Sequence, residues 1–341
     1  MSYHIQLRPG SQTFTADDDH TLLDAALAAG LALPYGCRTG VCGACKGKVV
    51  QGRVELGAYG EHALPATERD DGHALLCCAR ARSDLVLEIS APAQIADKPA
   101  RKLPCRVSRL ERLAEDVMRV DLQLPADESF TFRAGQYVDI VLEDGQRRSF
   151  SIANAPCEQG HLELHIRRIP GGRFTGHVFD GMRVRDILRI EGPHGGFYLH
   201  EDSERPVVMI GGGTGFAPLK GIVEHAIHIG FRPPITLYWG ARTPAGLYLH
   251  ETAQSWQSML PGFRYIPVVS DARPEDGWTQ RRGLVHEAVL ADFADLSRYE
   301  VYACGSPPMI ETVRDSFMRE RNLAAKAFHA DAFTFAAVPS A

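Results

Sequence analysis

Three successive domains are predicted for this chain: a β-grasp unit, a small antiparallel β-barrel, and an α/β unit built on a doubly wound parallel sheet. Three observations predict them. The stretch "YGCRTGVCGACKGKV", residues 35–49, crowds cysteines and glycines between short strand-like segments. A proline-rich stretch is then followed by alternating segments separated by turn residues, the pattern of a small barrel. The last part alternates strand and helix around "MIGGGTGF", which argues for a parallel sheet.

Length and composition set the frame. At 341 residues the chain is long enough for two or three cores. Its 45% hydrophobic and 23% charged residues are those of a globular protein, and its apolar runs are far short of a membrane span. No membrane partner is expected. The N-terminus lacks the basic-then-apolar plan of a signal peptide, so a cytoplasmic location is expected. A net charge of −5 argues against a nucleic-acid partner. Eight cysteines without an export signal point to metal ligation or catalysis before disulfides.

The first domain is read over residues 1–92. "SYHIQLRPGSQTFTA" gives two strands around a Pro-Gly turn, and "TLLDAALAAG" a helix ending at Gly30. "KGKVVQGRVEL" and "DLVLEI" complete the strands. Cys37, Cys42 and Cys45 are spaced C-x4-C-x2-C, the pattern of a plant-type 2Fe–2S centre with a distant fourth ligand. That ligand comes from "ALLCCARARSDLVLEI", where Cys77 and Cys78 compete. Gly36, Gly40, Gly43 and Gly47 let the backbone wrap closely around a cluster. A structural zinc site favours paired knuckles, and only one such pair exists here.

The segment resembles a plant-type ferredoxin, and the resemblance selects Cys77, six residues before Ser83-Asp84. Cys78, next along an extended segment, is expected to point elsewhere as a packed thiol.

"SAPAQIADKPARKLP" reads as a semi-extended connector, with the linker set at 93–103. The barrel is placed over 104–202, from "CRVSRLERL", "VMRVDLQL", "QYVDIVL", "HLELHIRRI" and "DILRIEG". Within it, "GQRRSFSIAN" is followed by "GGRFTGHVF", which resembles a helix N-terminus able to hold a pyrophosphate. Here the chain resembles the ferredoxin–NADP reductase superfamily, whose flavin motif is Arg-x-Tyr/Phe-Ser. The resemblance implies FAD, with Arg148 on the phosphates, Ser149 within the motif, Phe150 against the flavin, and Ser151 at the flavin N5 region. Gly172, Arg173, Phe174 and Thr175 match a second phosphate-binding segment, and His165 and Arg167 match positions near the flavin.

The third domain is placed over 203–341. "RPVVMIGGGTGFAPLKGIVEHAIHIG" gives a buried strand, a glycine turn and a helix capped by Gly230, the unit that seats a dinucleotide pyrophosphate. Gly211, Gly212, Gly213, Thr214 and Gly215 form the turn. "PITLYWGAR" and "YEVYACGSPPMIETVRDSF" supply later strands and a helix. "YACGSPPM" resembles the superfamily's Cys-Gly-x-Pro segment, which implies that Cys304 and Gly305 shape the hydride-transfer pocket. Cys105 and Cys157 are read as structural. Arg242, after the second strand, is the candidate cation for a ribose phosphate; the resemblance favours NADH, with NADPH as the other choice. It also implies that Phe333 or Phe335 covers the nicotinamide site.

Together these readings imply an NAD(P)H-dependent iron–sulfur flavoprotein oxidoreductase. Nicotinamide gives two electrons as a hydride and a cluster takes one, so a flavin belongs between them. The resemblance covers the whole chain and is to ferredoxin-first reductases of multicomponent oxygenases, and within them to reductases of CDP-6-deoxy-hexose dehydration. It implies a separate acceptor: an oxygenase component first, a CDP-sugar dehydratase second. A monomer is expected. A scaffold using the cofactors only for structure would not need an intact nicotinamide site, and a free flavin reductase would not need residues 1–92.

Overall fold

The computed structural model describes residues 1–89, 94–95, 100–126 and 130–334. They fall into two compact units, one of Met1–Pro99 with Gly195–Phe197 and Ala330–Thr334, the other of Ala100–His194 and Tyr198–His329.

In the first unit, strict alternation along Ser2–Arg8 turns Ile5 and Leu7 inward, where both are fully buried. The strand joins a five-stranded sheet in the order Thr13–Asp17, Ser2–Arg8, Leu85–Ile89, Lys46–Gln51, His73–Leu75. Thr21 caps the helix Leu22–Ala28, its hydroxyl accepting from the Asp24 N–H at 3.1 Å. The helix carries Leu22 and Leu23 into the same core, with Leu76 and Leu87. Each buried leucine contributes about 1.5–3 kcal/mol. The mixed sheet with one packed helix is the β-grasp arrangement.

The second unit holds the barrel and the parallel sheet. The barrel strands run in the order Arg147–Ser151, Tyr137–Val141, Ile187–His194, Arg101–Ala114, Val117–Gln123, His161–Arg167. An antiparallel bridge between Ile152 and Leu164 closes the last strand onto the first. Alternation along Arg101–Ala114 sends Leu103, Cys105 and Val107 into the core. Burial there pushes the Cys105 thiol up to about 12, the state of a packing residue.

The parallel strands of the second unit run Arg281–Arg282, Phe263–Val269, Ile235–Ala241, Val207–Gly212, Glu300–Gly305. Val207–Ile210 is buried throughout, as a strand covered on both faces must be. The helix Phe216–Ile229 ends at Gly230 in the left-handed conformation, as the sequence predicts. The strand order reverses between Val207–Gly212 and Glu300–Gly305, so the switch point lies there, where such sheets bind nucleotides.

The predicted connector is not featureless. Gln94–Ile95 pairs antiparallel with Leu31–Ala32, and the long barrel strand starts at Arg101, inside the stretch read as linker. Both additions are backbone pairings, which a proline-rich composition does not announce.

Candidate cofactor sites

The cysteine loop is held from outside its own segment. Gly60 N–H donates to the Gly40 carbonyl at 3.0 Å, and His62 Nε2 lies 2.9 Å from the Val41 carbonyl. Gly40 has φ +77°, and a Cβ there would stand 2.8 Å from Cys78 Sγ, so only glycine fits. Cys37 N–H donates to Cys42 Sγ, and Thr39 N–H to Cys37 Sγ, each at 3.4 Å. The Cys42 thiol, aided by Thr39, holds Cys37 below the usual thiol range against the effect of burial. Cys45 and Cys77 are buried in the same core, and the neighbouring Cys45 thiol pushes Cys77 up. Cys37, Cys42 and Cys45 on one loop, with Cys77 on the turn after His73–Leu75, thus supply four thiols. That donor set fits a 2Fe–2S centre, which would take four thiolates.

Cys78 departs from expectation. Residues 76–78 form a turn, with Cys78 N–H and Ala79 N–H both donating to the Leu75 carbonyl at 2.9 Å. The turn brings Cys78 Sγ to 3.6 Å from Cys77 Sγ, because consecutive side chains in a turn need not diverge as they do in a strand.

In the barrel, the flavin motif lies on the strand Arg147–Ser151. Arg148 is half-buried, and its guanidinium donates to the Arg147 carbonyl and to Gln146 Oε1 at 2.8 Å. Ser149 donates to Asp139 Oδ1 at 2.6 Å, and Ser151 is buried. Phe150 packs on Phe174, ring centroids 5.5 Å apart, which brings together the two segments singled out in the sequence. Gly172 is the N-cap of the helix Arg173–Asp180, with Arg173 exposed and Thr175 accepting from the Ile169 N–H at 3.1 Å. An arginine beside a helix N-terminus and paired aromatic faces fit the phosphates and ring of a flavin nucleotide.

His165 is different. Its side chain is fully buried, with Nε2 2.7 Å from Glu163 Oε1 and Nδ1 3.0 Å from the Tyr248 hydroxyl. Both ring nitrogens are engaged by the protein, which makes it a positioning residue. Burial pushes its pKa down. Glu163 in turn meets Arg119 at 3.0 Å and Lys220 at 3.2 Å. Sequence reading missed Glu163, Lys220 and Tyr248. A lysine among Phe216, Ala217, Leu219, Ile222 and Val223 on a buried helix face was the available signal.

At the glycine turn, Gly211 is paired with Cys304 across neighbouring parallel strands. A Cβ on Gly215 would stand 2.1 Å from the Cys304 carbonyl oxygen, so the turn and the Cys304–Gly305 segment touch. Trp239 Nε1 donates to the Gly213 carbonyl at 2.9 Å, fixing the turn from the next strand. Arg167 lies here too: its Nη1 is 2.6 Å from where a Gly213 Cβ would be, and its Nε is 3.1 Å from Asp116 Oδ2. Gly212 is half-buried and Thr214 buried. The bare backbone followed by a helix N-terminus fits a dinucleotide pyrophosphate. Cys304 is fully buried, consistent with shaping a pocket. Arg242 is exposed just past its strand, and Phe333 is half-buried; Phe335 lies outside the described residues.

Comparison with known proteins assigns a cofactor-binding domain family to each of the three regions. The 2Fe-2S iron-sulfur cluster binding domain family matches residues 5–82, the oxidoreductase FAD-binding domain 104–198, and the oxidoreductase NAD-binding domain 209–315. CDP-6-deoxy-L-threo-D-glycero-4-hexulose-3-dehydrase reductase of Yersinia pestis is 39% identical, covering 98% of this chain and 99% of its own. Terephthalate 1,2-dioxygenase reductase component 2 of a Comamonas species is 36% identical, covering 98% of each chain. The crystal structure of Amycolatopsis cytochrome P450 reductase GcoB matches with a TM-score of 0.80 and 36% identity, over 98% of this chain and 99% of that one. No helix among the described residues is long and apolar enough to cross a membrane. The chain belongs to the ferredoxin-first FAD- and NAD-binding reductases of the ferredoxin–NADP reductase superfamily.

Proposed function

We propose that this chain oxidises NADH and delivers the electrons one at a time to a separate protein, the oxygenase component of a multicomponent mono- or dioxygenase. The observation that carries the reading is that Cys37, Cys42 and Cys45 on one loop, with Cys77, supply four thiols within the matched 2Fe-2S domain, in a chain that also holds a flavin motif and a nucleotide turn. When bound, nicotinamide supplies a hydride, flavin exchanges electrons in pairs or singly, and a 2Fe–2S cluster supplies single electrons. The protein's own part is to hold and order them. Arg148 and the helix N-terminus after Gly172 would hold the flavin phosphates, and Ser151, at the end of the motif strand, would serve the flavin ring. Gly211–Gly215 seats the dinucleotide, with Cys304 and Gly305 shaping the nicotinamide pocket. The Glu163–His165–Tyr248 chain fixes the barrel strand that also carries Arg167. In this reading the chain acts as a cytoplasmic monomer, with domains at 1–92, 104–202 and 203–341.

A second acceptor, a CDP-sugar dehydratase, is favoured by the 39% identity to the Yersinia reductase over nearly the full length of both chains. The test is reconstitution of the purified reductase and NADH with each acceptor type in turn. An oxygenase component that turns over its substrate only when this chain is present supports the first reading. Dehydratase turnover alone would replace it with the second, and no response from either would reject both.

A further inference from the structure

Far from the glycine turn, at the opposite end of the strand Glu300–Gly305, three side chains converge that none of the three cofactor sites uses. They are His200, from the segment leaving the barrel, Glu300, at the start of that strand, and His329, on the strand Phe328–Ala332. Their ligand atoms all lie within 4.8 Å of one another. His200 Nδ1 is 3.6 Å and His329 Nε2 is 3.5 Å from the same oxygen, Glu300 Oε2. Such separations are too long for formed hydrogen bonds. They are close to the edge of a tetrahedron around a zinc ion with N and O ligands, about 3.4 Å for arms of roughly 2.05 Å. His329 Nε2 is buried and makes no hydrogen bond, and the two imidazole rings meet edge to face at 4.4 Å between centroids.

The shell around these atoms is ordered. Ser203 donates to Glu300 Oε1 at 2.7 Å and the Tyr302 hydroxyl to Oε2 at 3.1 Å; Tyr302 in turn accepts from the His200 N–H at 3.1 Å. His329 stacks on the Tyr302 ring at 4.6 Å. Outer partners that fix a carboxylate and an imidazole in place are the ordinary support of a metal site. Glu300 is 8% exposed, while His200 is more open, with its side chain 36% exposed, so an ion has a path in.

We propose that His200, Glu300 and His329 form a binding site for a divalent first-row metal ion of the zinc class, with water as the fourth ligand. Two imidazoles and one carboxylate select such an ion over magnesium or calcium, which prefer all-oxygen shells. The bound ion ties His200 and His329 to the strand that ends in Cys304–Gly305. Its role is structural or regulatory, because the ligands sit at the far end of that strand.

The test uses the full-length holoprotein, dialysed against chelator, equilibrated with Zn2+ and desalted. Wild-type protein is compared with the H200Q/H329Q double variant for metal content, and X-ray absorption at the zinc edge identifies the ligands. The expected result is about one equivalent of Zn2+ more on the wild type, bound by nitrogen and oxygen with an imidazole signature. Unchanged flavin and cluster absorbance certifies that the variant is folded. If it does not fold, H200Q alone and the wild-type zinc-edge spectrum still decide. Equal zinc content in wild type and variant, or a shell containing sulfur, overturns the proposal.

Discussion

Lys220 Nζ lies 3.2 Å from both carboxylate oxygens of Glu163, joining the helix that starts at the glycine turn to the barrel strand His161–Arg167. Both side chains are buried, at 7% and 3% exposure. Lys220 also donates to the Ala153 carbonyl at 3.2 Å, two residues past Ser151. One ammonium thus ties the nucleotide helix to the end of the flavin motif. Lys220→Met leaves Glu163 with Arg119 and His165, so the cost is expected near 2–4 kcal/mol, at or below the usual loss for breaking a buried pair. Urea unfolding followed by flavin fluorescence measures it. A loss under about 0.5 kcal/mol, the size of an exposed pair, would show the contact to be incidental.

The same network predicts acid sensitivity. Burial alone would raise the Glu163 carboxyl, but His165, Lys220 and Arg119 outweigh it and hold it at about 2, below its ordinary value of 4.5. A carboxylate depressed in the folded state contributes stability above pH 4.5 and loses it as pH falls toward 2. The swing is about 3 kcal/mol across that window. Glu163→Gln should flatten this part of the stability curve, as read by chemical unfolding at stepped pH. An unchanged slope would place the acid sensitivity elsewhere.

The two adjacent cysteines should separate cleanly. Cys77→Ser is expected to abolish the visible absorbance of the cluster, whereas Cys78→Ser should retain it, although the thiols are 3.6 Å apart. Cys77→Ser should still oxidise NADH with ferricyanide while losing cytochrome c reduction. Retention of the cluster in Cys77→Ser and its loss in Cys78→Ser would reverse the ligand assignment.

Gly215→Ala drives a methyl group toward the Cys304 carbonyl, which stands 2.1 Å from the Cβ position. The turn must shift, misplacing nicotinamide. NADH oxidation should fall by about 100-fold, the scale of an ångström-sized misplacement, with flavin and cluster absorbance retained. Steady-state kinetics over a range of NADH concentrations reads it, and wild-type rates would mean that the turn does not seat the dinucleotide.

Local chemistry was legible in the sequence because it is written in short spacings. Cys37, Cys42 and Cys45 lie within one loop, Gly211–Gly215 within one turn, and "SYHIQLRPGSQTFTA" and "CRVSRLERL" read as strands. What stayed hidden depends on contacts distant in sequence. Glu163 meets Lys220 57 residues on, and His165 meets Tyr248 83 residues on. No periodicity encodes such pairs. His165 could be matched to a family position, but only packing reveals that both its nitrogens are taken. Cys78 failed for a smaller reason: a turn at 76–78 replaced the extended backbone assumed from composition. Gln94–Ile95 likewise formed a strand only because Leu31–Ala32 offered an edge.

The central claim is that this one chain carries electrons from NADH to a cluster held by Cys37, Cys42, Cys45 and Cys77. An anaerobic NADH titration of the holoprotein, followed by visible absorbance and electron paramagnetic resonance, tests it most directly. Bleaching of the flavin together with the rhombic signal of a reduced 2Fe–2S centre is the predicted result. Bleached flavin beside a silent, unreduced cluster would contradict it.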